Sequence, residues 1–151
     1  MTDSAKSGSA ISKALIFYDG LCGFCNWIVR WIIKRDLHDR FRFAPQQSAI
    51  AEAVLARHGV DAQAMAAADS VFLVVSYDRP SERLLCRSDA GVQVLLLLGG
   101  EWAILGRLLG AVPRFLRDFG YSLFARIRYG GAGRYRSCPL PSAAERAKFL
   151  A

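Results

Sequence analysis

A short apolar run, Ala14-Leu15-Ile16-Phe17-Tyr18, leads through Asp19-Gly20-Leu21 into Cys22-Gly23-Phe24-Cys25, and a helical pattern follows at once. This junction constrains the fold more than any other stretch. A strand that delivers Cys-x-x-Cys to the first turn of a helix defines an α/β unit, and it is the arrangement that thiol–disulfide exchange needs. The helix N-terminus offers unpaired N–H groups and a partial positive charge, both of which favour thiolate over thiol. Cys22 is then the nucleophile. Cys25, one helical turn on, lies close enough to resolve a mixed disulfide.

The same spacing is also half of a zinc site. Zinc requires four ligands, and the remaining candidates, Cys86, Cys138, His38 and His58, form no second close pair. A site built from Cys22, Cys25, Cys86 and Cys138 needs three distant segments to converge. The strand-turn-helix context favours redox chemistry, for which neither a metal nor an organic cofactor is expected.

Beyond the cysteines, Phe24, Trp27, Ile28, Trp31 and Ile32 recur at helical spacing and read as one apolar stripe, closed by Lys34-Arg35. Phe41-Arg42-Phe43-Ala44 alternates as a second strand ended by Pro45. Ser48 to His58 reads as a helix with Gly59 just past its end. An alanine-rich connection runs from Asp61 to Asp69. Val71 to Val75 is a buried strand, Asp78-Arg79-Pro80-Ser81 a turn, and Arg83 to Arg87 the returning strand of a hairpin. Ser88 is placed to cap a helix from near Asp89 to Leu98. Gly99-Gly100 breaks that helix, Glu101 to Leu109 forms another, and Pro113 starts a third that reaches roughly Arg126, before a glycine loop at 130–133.

The order β-α-β-α-β-β-α is that of the thioredoxin fold: an α/β, four-stranded mixed sheet with flanking helices, here with a helical C-terminal extension. Residues 1–13 read as a disordered tail, 14–98 as the thioredoxin-like core, and 99–151 as the extension packed on the same domain. With 151 residues, 53% of them apolar, the chain can bury a sizeable core. Its four cysteines are too few for a disulfide scaffold, and no secretory signal is visible, so the cytoplasm is the expected compartment. Gly99, Gly100, Glu101 and Arg107 interrupt the long apolar stretch from Val92 to Val112, which reads as two packed helices rather than a membrane span.

Charge is uneven. Seven arginines and one acid, Asp118, lie between Arg107 and Arg136, which gives that stretch +6 of the chain's net +7. Arg107, Arg114, Arg117, Arg126 and Arg128 are candidates for a face that docks an anionic membrane or an acidic partner. No motif for specific nucleic-acid binding is present.

With these residues in view, the chain resembles the DCC family of thiol-disulfide oxidoreductases, named for Asp-x-x-Cys-x-x-Cys, here Asp19 through Cys25. The likeness runs from about Leu15 to Leu140. It takes in Phe17 to Gly20, Lys34-Arg35-Asp36, Arg87-Ser88-Asp89-Ala90, Leu98-Gly99-Gly100, Val112-Pro113, Arg128-Tyr129 and Cys138. The resemblance implies a thioredoxin-like fold and dithiol–disulfide chemistry, and names no substrate. From that chemistry the expected partner is a disulfide-containing protein or a small-molecule thiol substrate. Ala68-Asp69-Ser70 carries no proline where thioredoxins place a cis-proline, so substrate docking is expected to differ from theirs.

Among individual residues, Cys22 is expected to be the more exposed of the pair. Asp19 has two readings: a general base for Cys25, or a turn-former that binds backbone N–H groups. Cys86 reads as packing, Trp27 and Trp31 as core, and His38 and His58 as surface residues. The rival to an enzyme is a redox-sensing or binding module that docks through the basic C-terminal half.

Overall fold

The computed structural model describes residues 13–61, 71–77, 79–132, 143 and 145–150, with backbone alone at 125 and 127–132. Its strands are β1 (Ala14–Tyr18), β2 (Phe41–Pro45), β3 (Phe72–Val75) and β4 (Arg83–Cys86). Its helices are α1 (Gly23–Arg35), α2 (Ala49–Arg57), α3 (Arg87–Leu98), α4 (Gly100–Ala111) and α5 (Arg114–Ala132), and a 3-10 turn spans Arg146–Lys148. The alanine-rich connection to β3 lies outside the described residues.

The sheet order is β2-β1-β3-β4. β1 pairs with β2 in parallel, from Ala14 opposite Phe41 to Tyr18 opposite Pro45. β3 runs antiparallel to both β1 and β4. This is the mixed sheet of a thioredoxin-like fold. All five residues of β1 are buried, as expected for a central strand covered on both faces. Alternation along it separates two cores. Ala14, Ile16 and Tyr18 face Cys25, Val29 and Ile32 of α1 and Ala90 and Leu98 of α3. Leu15 and Phe17 face Ala51, Val54 and Leu55 of α2. The β1–α1 junction therefore stands at the carboxyl end of a rigid central strand, where α/β sheets place functional groups.

Several expectations needed correction. The stripe of α1 is rotated: Cys25, Val29 and Ile32 reach the sheet, while Phe24, Ile28 and Trp31 pack beside them. Trp27 is not core but 56% exposed; it packs on Phe24 at 5.6 Å, and Phe24 in turn meets Phe124 of α5 at 4.8 Å. Trp31 packs edge-on against Trp102 at 4.7 Å. Ser88 does not cap α3. Cys86 occupies the N-cap position without a side-chain bond, and the Ser88 hydroxyl donates to Asp118 on α5. α5 does not stop near Arg126 but continues through the first glycines to Ala132. His58 is largely buried and paired with Glu82 at 2.7 Å, whereas His38 is exposed.

Gly99 and Gly100, at φ +75° and +57°, turn the chain from α3 into α4, a conformation that glycine adopts without a Cβ penalty. The chain end then returns to the sheet. Phe149 forms a parallel bridge with Phe43, and Leu150 N–H donates to Phe43 C=O at 2.9 Å. The extension is thus not wholly helical, and its last residues cover the outer edge of β2.

Candidate active site

β1 ends at Tyr18, and Asp19 opens a tight turn into α1. The Cys22 N–H donates to Asp19 C=O at 3.1 Å. The Asp19 carboxylate accepts at Oδ1 from Leu21 N–H at 3.0 Å and from Gln47 Nε2 at 3.1 Å. Gln47 also accepts from Gly20 N–H at 3.3 Å, so one side chain from the β2–α2 connection clamps two points of the turn. Asn26 fastens it from the helix side, its Nδ2 donating to Gly20 C=O and Cys22 C=O, both at 2.9 Å. Asp19 and Asn26 are the buried polar residues of the described structure. Both are hydrogen-bonded, as burial of polar groups demands.

Cys22 is the N-cap of α1, and its Sγ accepts from Cys25 N–H at 3.3 Å. The helix start thus gives the first sulfur a backbone donor and places the second cysteine one turn on. Both are thiols. Contrary to expectation, Cys22 is not the exposed member: it is 0% accessible and Cys25 4%. The turn folds back over the helix terminus, held by Gln47 and Asn26, so the N-cap sulfur points inward.

Cys25 instead forms part of the wall of an apolar groove of about 780 Å³ between α1, α3 and α5. Phe24, Ile28, Val94, Leu116 and Phe124 contribute much of its surface, and Arg87, Ser88 and Arg117 its polar margin. Arg87 begins α3 at φ +56°, a strained value for a non-glycine residue. It donates to Ser122 and lies 5.9 Å from the Tyr121 ring. Tyr121 in turn accepts from Val71 N–H at 3.0 Å. These contacts fix α5 against the start of β3 and thereby set the groove's width.

Two arginines expected on a docking face are engaged within the molecule. Arg117 pairs with Asp89 at 3.1 Å, and Arg114 with Asp89 at 2.8 Å and Asp118 at 3.8 Å. The bond from Ser88, reinforced by Arg114 and Arg87, holds the Asp118 carboxyl below its ordinary range. Cys86 packs against the α2-side core. Cys138 and Ala68-Asp69-Ser70 lie outside the described residues. Among the described residues no three His, Cys, Asp or Glu side chains gather in a group that could hold a metal ion. No described helix is long and apolar enough to cross a membrane.

Asn26 and Gln47 are site residues that sequence reasoning missed. Asn26 was legible in principle as a polar residue between two apolar positions of a buried helix. Gln47 carried no such signal.

The model of the DCC1-like thiol-disulfide oxidoreductase family matches residues 16–134. The chain is 31% identical over 140 residues to "Uncharacterized protein YuxK" of Bacillus subtilis (strain 168), a match that spans 93% of this chain and 96% of the relative. It is 29% identical over 128 residues to "DCC family protein At1g52590, chloroplastic" of Arabidopsis thaliana, which covers 85% of this chain and 70% of the relative. No solved structure matches it. With its Asp-x-x-Cys-x-x-Cys turn seated between β1 and α1, and the family match running across most of its length, the chain belongs to the DCC1-like thiol-disulfide oxidoreductase family.

Proposed function

We propose that this protein is a thiol–disulfide oxidoreductase that cycles Cys22 and Cys25 between dithiol and disulfide. The observation that carries the reading is the contact at the start of α1, where Cys25 N–H donates to Cys22 Sγ at 3.3 Å. That contact puts a donor on the first sulfur and the second cysteine within one helical turn of it. The family match supports the same chemistry.

In this mechanism the Cys22 thiolate attacks a substrate disulfide. A Cys22–substrate S–S bond forms, and the other substrate sulfur leaves as a thiolate that takes up a proton. The Cys25 thiolate then attacks Cys22 Sγ, the intramolecular disulfide forms, and the second substrate thiolate departs. Two electrons pass from the dithiol to the substrate. Because Cys22 is buried, attack requires a local opening at the Asp19–Leu21 turn. Asp19 acts as a positioning residue, its Oδ1 holding that turn through Leu21 and Gln47. The substrate approaches along the groove that Cys25 borders, so apolar disulfides are favoured over highly charged ones.

Exposure to an aromatic disulfide followed by intact mass measurement tests the division of roles. Cys25→Ser should retain half of the reagent as a mixed disulfide, and Cys22→Ser should retain none. Equal retention by both variants would overturn the assignment. A wild-type protein that reduces no disulfide would overturn the function.

A further inference from the structure

The two C-terminal helices carry an apolar surface beyond the substrate groove. Of eleven large apolar side chains exposed among the described residues, nine lie on α4 and α5, and six of these, Ile104, Leu105, Leu108, Phe115, Phe119 and Leu123, stand outside the groove's lining. Phe115, Phe119 and Leu123 succeed one another at i, i+4 and i+8, a single stripe along α5, and Phe115 and Phe119 are 72% and 71% exposed. Ile104 and Leu108 form a similar pair on α4. A soluble monomer rarely leaves so concentrated an apolar area open to water.

Charge identifies what covers it. Arg126 follows Leu123 by three residues, and Arg107 follows Ile104 by three, so each cation borders an apolar stripe. Both are without an ion pair among the described residues, unlike Arg114 and Arg117. One acid, Glu101, is exposed on α4. A second copy of this chain is a poor occupant: self-association through these stripes would set arginine near arginine between molecules that each carry +7. An anionic lipid surface satisfies both features, with phenyl and leucyl groups entering the acyl boundary and guanidinium groups meeting lipid phosphates. No described helix can span a bilayer, so the contact is with the interface.

We propose that the α4–α5 face, through Phe115, Phe119, Leu123, Ile104 and Leu108 with Arg107 and Arg126, docks the protein on anionic membranes. The test is flotation of the reduced full-length protein with phosphatidylcholine vesicles that contain or lack phosphatidylglycerol. Wild type should float with the phosphatidylglycerol vesicles at low salt and be released at high salt. Arg107→Gln and Arg126→Gln should each weaken partitioning about fivefold. Phe119→Ser should weaken it about tenfold or more, with unchanged circular dichroism and thiol labelling. Protein that stays in the soluble fraction at low salt would overturn the proposal, including the case in which it dimerises or captures an acidic protein instead. So would a Phe119→Ser variant that binds as tightly as wild type.

Discussion

Asn26 is the residue whose replacement most directly examines how the cysteine turn is held. Its Nδ2 makes two buried bonds, to Gly20 C=O and Cys22 C=O, both at 2.9 Å. Cys22 C=O keeps a second donor, the Asn26 backbone N–H at 3.1 Å, so Asn26→Ala removes two bonds without stripping that carbonyl. At about 1 kcal/mol for each bond, the loss is about 2 kcal/mol. In a chain of this length that lowers the melting temperature by about 4–8 °C. The bonds close one turn, so much of the loss falls on local opening. A 2 kcal/mol shift raises the open population, and with it the labelling rate of Cys22, by about 30-fold. Thermal denaturation and iodoacetamide labelling read by peptide mass measure the two effects. Asn26→Asp should be worse, since it replaces the donor by a buried anion that faces carbonyls. Wild-type melting and wild-type labelling in Asn26→Ala would refute the reasoning, because the two bonds would then be contributing nothing to the closed turn.

Three further outcomes follow from the packing and charge. Gly106→Ala should destabilise by about 1–3 kcal/mol in urea titration, because a Cβ there would lie 3.1 Å from both Leu95 Cβ and Leu96 N at the α3–α4 crossing. Phe149→Ala should lose about 2 kcal/mol, roughly half the value for a fully buried phenylalanine, since its ring meets Phe43 at 5.7 Å and Tyr18 at 6.3 Å. Arg42 first, then Lys148 and Lys13, hold the Asp39 carboxyl far below the usual carboxylate range. Its contribution is therefore present above about pH 4 and lost as the pH falls further. Solvent screening keeps it to about 1 kcal/mol or less. Asn tolerates the φ of +52° at that position, so Asp39→Asn should be slightly less stable than wild type at neutral pH and converge with it in strong acid.

The order of elements was legible because the local signals agreed with the global fold. β1 is a continuous apolar run where a doubly covered strand is needed, Ser48 caps α2 through Ala51 N–H, and Gly59 and Gly99 fall where positive φ ends a helix. What was illegible depended on partners distant in the chain. The apolar period of α1 was visible, but its rotation was not, because two partners share that helix and Phe124 lies a hundred residues from Phe24. Ser88 had the chemistry of a cap, but Asp118 competes for its hydroxyl. Glycines normally end a helix, yet α5 runs into them. The return of Phe149 to β2 rests on a bridge to Phe43, far earlier in the chain. The position of the cysteines was readable and their accessibility was not, since that is decided by Gln47 and Asn26 closing the turn. Seven arginines and one acid in one stretch predicted a basic face, but Asp89 lies outside that stretch and engages two of them.

The central claim is that Cys22 and Cys25 form one reversible two-electron couple. The direct measurement is equilibration of the protein, with Cys86 and Cys138 replaced by serine, in glutathione buffers of graded potential. Acid quenching, alkylation and intact mass then count the free thiols. The account predicts that both alkyl groups disappear together, in a single transition that follows a two-electron curve and reverses on reduction. Thiols that titrate separately as glutathione adducts, with no Cys22–Cys25 disulfide at any potential, would contradict it.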